Sequence, residues 1–194
     1  MKQSLFIISI SIALLCGCAS LKHPLKNESC WTKPSNGLSA KLVVTHETSF
    51  GTKVLHPKIL LLNESENPIK FLKCVYDAGT FGVRTSDVKR VQTHSASRGG
   101  PLGAEVAVIK PFETIEFDAY DCGYGISKNV NTYAFHTASF QTRLLPGKYT
   151  IDYSLEMNKD SIKNMLKLYD WITEKPDVLW HGQLVIRNTE LILN

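Results

Sequence analysis

The chain contains 194 residues, and 22 Lys and Arg residues against 18 Asp and Glu residues give a formal net charge of +4. This length is typical of one folded domain with a short extension. No run of basic residues is interleaved with aromatic residues, which argues against a nucleic-acid-binding groove. The six histidines show no HxxxH or HxH spacing, and no CxxC occurs, so we expect neither a metal site nor a cofactor.

The first 17 residues have the features of an export signal. Lys2 supplies a positive charge, Leu5–Leu15 is an apolar stretch, and the small residues Gly17 and Ala19 are typical of a cleavage site. The stretch is too short for a membrane-spanning helix, which needs roughly 20 apolar residues. The pattern predicts removal of residues 1–17 on export, and an ordinary secretory signal cut near Ala19 is the simpler alternative.

The residues Leu15-Cys16-Gly17-Cys18 resemble the lipobox of bacterial lipoproteins. In that family the cysteine receives a diacylglyceryl group, the peptidase cuts before it, and the new amino terminus is acylated. The resemblance implies a permanent anchor at Cys18, because several acyl chains hold a protein where one does so only marginally. It also implies the outer membrane, because Ala19 stands where an inner-membrane retention signal has Asp. Of the two faces of that membrane, we expect the periplasmic side rather than the surface.

The rest of the chain divides into a tether and a domain. Residues 18–37 are polar, contain Pro24 and Pro34 and lack an apolar period, which predicts a flexible, lipidated tether. Residues 38–194 alternate apolar stretches with turns, which predicts one β domain. The first predicted strands are Leu38–Val44, Lys58–Leu62 and Ile69–Leu72, of which the last two form a hairpin around Asn63–Pro68; later ones include Val106–Ile109, Thr114–Tyr120 and Tyr149–Leu155.

Two loops interrupt the strands in the middle of the chain. The first, His94–Gly103, is rich in Ser, Gly and Pro, and the second includes Tyr124–Asn131. Binding residues are commonly found on long loops of a rigid scaffold. The candidate binding residues are therefore His94, Ser95, Arg98 and Tyr124.

The stretch Leu144–Tyr153 (LLPGKYTIDY) resembles the tyrosine corner of immunoglobulin-like and fibronectin type III-like domains. In those families the Tyr hydroxyl, here that of Tyr149, bonds back to the backbone of the corner. The resemblance implies an all-β fold, an immunoglobulin-like β-sandwich of about seven to nine strands. The regular spacing of short strands and turns supports the same fold class.

One short helix is predicted before the last strand. Asp160 is placed to cap a helix over Ser161–Thr173, in which apolar residues recur at helical spacing, and Pro176 ends it. The helix is expected to cover an open end of the sandwich, although a partner-binding or membrane-surface role for Trp171 is an alternative. Apolar residues of the closing strand or strands follow: Trp180, Leu184, Ile186, Leu191 and Leu193.

Export would place three cysteines, Cys30, Cys74 and Cys122, in an oxidising compartment. In an immunoglobulin-like order, the strands before Cys74 and Cys122 finish at the same end of the sandwich. Cys30 precedes the first strand, which begins at the other end, beyond the reach of a disulfide. The resemblance therefore implies a Cys74–Cys122 disulfide and leaves Cys30 free, either buried beside Trp31 or reserved for an intermolecular bond.

No assembled catalytic motif is visible. His94 adjoins Ser95, but no Gly-x-Ser-x-Gly turn occurs, and a loop does not hold a nucleophile and base with the precision that catalysis needs. We therefore expect no enzyme but a lipid-anchored binding module that interacts with another envelope protein. Two alternatives remain: a periplasmic inhibitor or immunity lipoprotein whose loops block a toxin or hydrolase, and a hydrolase with a site built from distant residues.

Replacing Cys18 with Ser should abolish lipidation, because the serine hydroxyl cannot take the place of the thiol that receives the lipid. The expected product is unprocessed precursor or a soluble species. Metabolic labelling with a palmitate analogue measures this, and label retained in the Cys18→Ser protein would contradict the lipobox interpretation.

Overall fold

The computed structural model describes residues 28–49, 52–74, 79–87, 89, 91, 94–95, 104–118, 133–136 and 140–194. The export signal and Cys18 lie outside these ranges, so what the sequence indicates about them stays a prediction.

The described chain is mostly β-structure. The strands are β1 Leu38–Ser49, β2 Thr52–Asn63, β3 Ile69–Cys74, β4 Thr80–Thr85, β5 His94–Ser95, β6 Ala104–Ile109, β7 Thr114–Asp118, β8 Tyr133–His136, β9 Phe140–Leu144, β10 Gly147–Met157 and β11 Gly182–Leu193. The helix α1, Lys159–Leu166, and a 3-10 helix, Pro176–Val178, lie between β10 and β11. The predicted short helix before the last strand is thus present, and the strands are more numerous than the sequence suggested.

The strands form three sheets around one core. A six-stranded sheet has the order β1-β2-β8-β9-β5, with β7 also paired to β2, while β11-β10-β4 and β3-β6 form smaller sheets. Strands of all three sheets contribute buried residues to one apolar cluster, an arrangement consistent with an all-β sandwich. The largest fully buried side chains include Tyr153, Phe135, Leu38, Leu42, Ile59 and Ile151.

Strands β1 and β2 form a hairpin with each other, and both are longer than predicted. The hairpin extends from the pair Leu38 and Asn63 to the pair Ser49 and Thr52. The sequence indicated a shorter β1 because its apolar alternation stops after Val44. Beyond that residue β1 continues with polar residues, which pair with β2 along the same ladder.

Pro57 lies inside β2, between the residues that pair with β8 and those that pair with β7. The outer edge of β2 pairs in parallel with β8 over 53–55 and antiparallel with β7 over 58–62. Proline has no N–H to give to a ladder, so the gap between the two partners is a position that tolerates it.

The predicted hairpin of Lys58–Leu62 with Ile69–Leu72 was wrong. β3 pairs with β6, from Ile69 opposite Ile109 to Cys74 opposite Ala104. The turn after β2 carries the chain from one sheet to another, and the turn between β6 and β7 returns it. A polar turn between two apolar strands is the same signal in both situations, so the sequence could not distinguish them.

The expectation of a flexible tether up to Gly37 is corrected for residues 28–37. Glu28 bridges to Val43 and Ser35 to Leu38, so residues 28–35, the N-terminal strap, run antiparallel to β1 along its outer edge. Asn36 and Gly37 have φ of 46° and 82° and form the two-residue turn that joins the strap to β1. Asn-Gly is a strong hairpin signal, because this turn needs positive φ at both positions.

Two hydroxyl groups complete the hydrogen bonds between the strap and β1. The N–H groups of Ser29 and Thr32 donate to the carbonyls of Leu42 and Ala40 over 2.9 and 2.8 Å. In return, the N–H groups of Leu42 and Ala40 donate to the hydroxyls of Ser29 and Thr32 over 2.8 and 2.9 Å. The strap therefore covers the edge of β1, which would otherwise be open to strand addition.

The helix begins and ends at residues other than those predicted. Asn158, not Asp160, is the N-cap, and it forms a reciprocal capping box with Ser161. The helix ends at Leu166 rather than continuing to Thr173, and its buried residues are Ile162 and Met165. The apolar residues beyond it are held by turns instead, because Tyr169 packs into the core from a non-helical segment.

A β-bulge in β11 changes which of its residues face the core. Arg187 and Asn188 lie opposite the single residue Asp152, and the N–H of Asn188, at a φ of 55°, donates to the Asp152 carboxylate over 2.8 Å. The bulge explains why the apolar positions of this strand switch from even to odd numbers. The buried residues are Leu184, Ile186, Thr189, Leu191 and Leu193.

The side chain of Asn63, at the end of β2, is fully buried and fully hydrogen-bonded. Its amide group donates to the carbonyls of Asn67 and Ile109 over 2.8 and 3.0 Å. Its side-chain oxygen accepts from the N–H and the hydroxyl of Ser65 over 2.9 and 2.7 Å. The side chain therefore joins the turn that follows β2 to the end of β6.

The backbone of Asn63 holds the turn between β6 and β7. Its N–H donates to the carbonyl of Glu113 over 3.0 Å, and its carbonyl accepts from the N–H of Phe112 over 2.9 Å. Asn63 thus contacts both segments in which the chain passes between sheets, and it fixes their relative positions.

The hydrogen bond predicted for Tyr149 is present. Its hydroxyl donates to the carbonyl of Leu145 over 2.9 Å, which closes the corner between β9 and β10. Burial raises the pKa of the Tyr149 phenol, so the hydroxyl keeps its proton for this bond at neutral pH.

Replacing Asn63 with Asp should destabilise the fold. The carbonyls of Asn67 and Ile109 lose the side-chain amide that donates to them and face a carboxylate instead. We expect a loss of about 3 kcal/mol, which lowers Tm by roughly 6 to 12 °C in a chain of this size. Thermal unfolding of the full-length protein in detergent measures the loss. The control is Asn67→Asp, the same chemical change on an exposed side chain nearby; equal Tm values for the two variants would contradict the role given to Asn63.

Replacing Tyr149 with Phe should cost about 1 kcal/mol, or roughly 2 to 4 °C in Tm, because the Leu145 carbonyl loses a partner that water replaces only in part. Tyr153→Phe is the matched control, because the fully buried Tyr153 hydroxyl has no hydrogen-bond partner in the described chain. Its removal should be neutral or stabilising. A Tyr149→Phe protein as stable as wild type would contradict a structural role for the corner bond.

Candidate functional site

The turn between β6 and β7 holds an aromatic residue in an unusual backbone conformation. The N–H of Glu113 donates to the carbonyl of Lys110 over 3.1 Å, with Pro111 and Phe112 at the two central positions. Phe112 has a φ of 59°. Proline followed by positive φ defines a type II turn, whose third position is normally Gly or Asn.

Phe112 gains little packing in return for this conformation. It is 70% exposed, more than any other large apolar residue whose burial the structure describes. A non-glycine residue in the left-handed region costs about 1 to 2 kcal/mol. The turn is nevertheless firmly held, because Asn63 bonds to Phe112 and Glu113, and the Glu113 carboxylate accepts from the N–H of Lys110 over 2.7 Å. The result is an aromatic ring displayed on a rigid support.

The Phe112 turn and the tip of the β1–β2 hairpin lie at opposite ends of β2. Phe112 bonds to Asn63 at one end, and Thr52 begins the strand at the other, about 35 Å away. The N-terminal strap enters beside Val43 and proceeds toward Leu38, that is, toward the Phe112 end.

A second surface feature is a half-open cavity of about 660 Å³ beside α1, here called the slot. Its volume falls in the range of roughly 300 to 1,000 Å³ typical of ligand sites. Its walls are the end of β10, the start of β4, and α1 with the residue that follows it. The lining residues are Gly79, Thr80, Ser154, Leu155, Glu156, Met157, Ser161, Asn164, Met165 and Leu168.

The slot is lined by the edge of β10 rather than by one of its faces. Four consecutive residues, 154–157, contribute to it, although successive side chains point to opposite faces of a strand. The ladder between β10 and β4 ends at the pair Ser154 and Thr80. Beyond that pair, no residue in the described ranges pairs with this edge, while 155–157 remain bonded to β11 on the other side.

Gly79 shows which way the polar groups of the edge point. The Ser154 carbonyl oxygen lies where a β carbon on Gly79 would have to be placed, so this oxygen is directed to the β4 side. In an antiparallel strand, the N–H and C=O groups of alternate residues point to the same side. The N–H and C=O of Glu156 are therefore directed into the slot.

The residues proposed from the sequence as binding candidates are only partly placed. His94 and Ser95 form β5, paired with β9 opposite Gln141 and Phe140. They were expected in an exposed loop, and this was wrong: they lie in the terminal strand of the six-stranded sheet, because β9 offers them a partner. Arg98, Tyr124 and the rest of both loops lie outside the described residues.

The predicted disulfide cannot be compared with the structure, since Cys122 and the side chain of Cys74 lie outside the described part. Cys30 is an exposed free thiol on the N-terminal strap, not a buried residue beside Trp31. It lies beside the middle of β1, because its neighbours Ser29 and Thr32 bond there.

The described ranges contain neither a metal-binding cluster nor a membrane-spanning helix. No group of three or more His, Cys, Asp or Glu residues in these ranges is arranged to hold a metal ion. No helix in this part of the chain has the length and apolar character needed to cross a membrane.

Neither the Phe112 turn nor the slot was predicted from the sequence. Lys110-Pro111-Phe112-Glu113 lies between two predicted strands, and proline at the second position of a turn is a signal for types I and II alike. Only the sign of φ at Phe112 separates these types. The slot has no sequence signal, because its lining residues come from β4, β10 and α1, which are separate in the sequence.

Comparison with models of protein families, with curated proteins and with solved structures found no match to this chain.

Proposed function

We propose that this protein is a lipid-anchored, non-enzymatic binding module, held through Cys18 at the periplasmic side of the bacterial outer membrane, that docks onto another envelope protein. The observation that carries the proposal is the Phe112 turn. A large aromatic side chain is held in a costly conformation and is left 70% exposed. Backbone strain of this kind is concentrated at functional sites, where the surrounding structure maintains it.

The aromatic ring suits a protein partner. Phe, Tyr and Trp are enriched at the centres of protein interfaces, where a rigid ring fills an apolar pocket at a low cost in conformational entropy. Phe112 meets this description, because its backbone is fixed by Asn63 and only its side chain must become ordered on binding. The partner we expect therefore offers an apolar pocket wide enough for one ring.

We also propose that the domain is a variant of the immunoglobulin-like sandwich. The corner bond from Tyr149 to Leu145 supports this, as does the packing of mostly antiparallel sheets on one core. The alternative function, inhibition of a toxin or hydrolase by an inserted loop, would rest on Arg98 or Tyr124, and no described contact favours it over docking through Phe112.

Replacing Phe112 with Gly should separate stability from binding. Gly removes the left-handed strain but adds freedom to the unfolded chain, so we expect a net gain of about 0.5 to 1 kcal/mol and a Tm higher by roughly 1 to 4 °C. The same change removes the ring and should abolish the complex that cross-linking in intact envelopes, followed by purification of the lipoprotein, detects for the wild type.

Leu145→Ala is the matched control, because Leu145 is also an exposed apolar residue (62%) but follows Leu144, which pairs with β8 near the hairpin tip. It should retain the complex. A complex that forms equally well with Phe112→Gly would refute docking through this residue, and a lowered Tm would show that Phe112 serves the fold instead.

A further inference from the structure

We infer, on the basis of the docking function proposed above, that the partner's pocket for the Phe112 ring is bordered by basic side chains. These side chains face carboxylates that surround Phe112. The carboxylates belong to two turns that Asn63 joins by hydrogen bonds: the turn after β2, residues 63–68, and the turn that holds Phe112, residues 110–113.

The two turns are strongly negative for their size. They contain the carboxylates of Glu64, Glu66 and Glu113 against a single ammonium group, that of Lys110. Within the described ranges, none of these four side chains forms an ion pair. Glu64, Glu66 and Lys110 are exposed, and Glu113 is half-buried. The surface around the ring therefore carries a net negative charge that no cation in this part of the chain offsets.

Hydrogen bonds hold two of the carboxylates in place. Glu113 directly follows Phe112, and its carboxylate accepts from the N–H of Lys110 over 2.7 Å. The Glu64 carboxylate accepts from the buried hydroxyl of Ser39, at the start of β1. Both donors are neutral groups, so the bonds fix the position of each negative charge without neutralising it. The charges are thus as firmly placed as the ring.

This charge defines the kind of surface that the ring can enter. Carboxylates around an apolar contact favour Lys or Arg on the partner, because like charges that meet across an interface weaken it strongly. Arg is also enriched at protein interfaces and can bind a carboxylate through two parallel hydrogen bonds. The same carboxylates oppose insertion of the ring into a membrane of anionic phospholipids. A protein with an apolar pocket and a basic rim is the partner that fits.

The first measurement compares two charge reversals by cross-linking in intact envelopes. Glu66→Lys changes an exposed side chain that takes no part in the bonds that hold the turns. It should leave Tm unchanged and lower the yield of the complex about fivefold or more. The matched control is Glu190→Lys, an exposed residue of β11 four positions before Asn194, which contacts Lys53 beside the hairpin tip. The control should change the yield less than about twofold.

Salt provides a second readout on the solubilised complex. Raising the salt concentration from about 0.1 M to about 1 M shortens the Debye length from about 10 Å to about 3 Å. Capture of the partner by the wild-type lipoprotein in detergent should therefore fall about fivefold or more. Capture by the Glu66→Lys protein, which is already weakened, should fall less.

A photoreactive benzoylphenylalanine in place of Thr114 identifies the surface that is met. Thr114 is exposed and follows the Phe112 turn, so the ring itself is left unchanged. Mass spectrometry of the cross-linked peptide should find Lys or Arg beside apolar residues. Replacing that Lys or Arg with Glu in the partner should then restore the complex with the Glu66→Lys protein.

Three results would overturn the basic rim: equal yields from Glu66→Lys and Glu190→Lys, a complex that high salt does not weaken, and a cross-link from position 114 to an acidic surface or to lipid. In each case, a complex that is still lost in Phe112→Gly would leave docking through Phe112 in place. A complex retained in Phe112→Gly, or no complex with the wild type, would remove the docking function and the basic rim together.

Discussion

The arrangement of the sheets depends on the hydrogen bonds of Asn63. This residue is fully buried, and every polar group on it is paired. Through them it holds the turn by which the chain leaves β2 and the turn by which it returns to β7. Without the Asn63 side chain, the carbonyl of Ile109 would lose the amide that donates to it, whereas the carbonyl of Asn67 would keep the Ser65 hydroxyl. A buried polar group without a partner costs about 1 to 3 kcal/mol.

The same hydrogen bonds maintain the exposed aromatic ring at Phe112. A strained residue persists only when its surroundings determine its conformation, and here the backbone bond to Asn63 and the short turn closed by Glu113 do so. The structural constraint and the proposed binding residue are therefore adjacent. The hydrogen bonds of Asn63 that hold the turn between the two sheets also give Phe112 a rigid support.

The protein covers one of its strand edges with its own N-terminal segment. The outer edge of β1 is paired with the N-terminal strap, in which the hydroxyls of Ser29 and Thr32 act as hydrogen-bond acceptors in the ladder. A covered edge protects a β protein from unwanted strand pairing.

The sequence by itself determined the features that depend on a few neighbouring residues. The alternation of β10, the existence of a short helix before the last strand, and the bond from Tyr149 to Leu145 depend on residues close together in the chain, and all are present. The Asn36-Gly37 turn is equally local, because the Asn-Gly pair is itself a hairpin signal. The tertiary structure alone decided which sheet each strand joined and the φ of Phe112. Each of these depends on hydrogen bonds between segments far apart in sequence, and a local pattern contains no information about such partners.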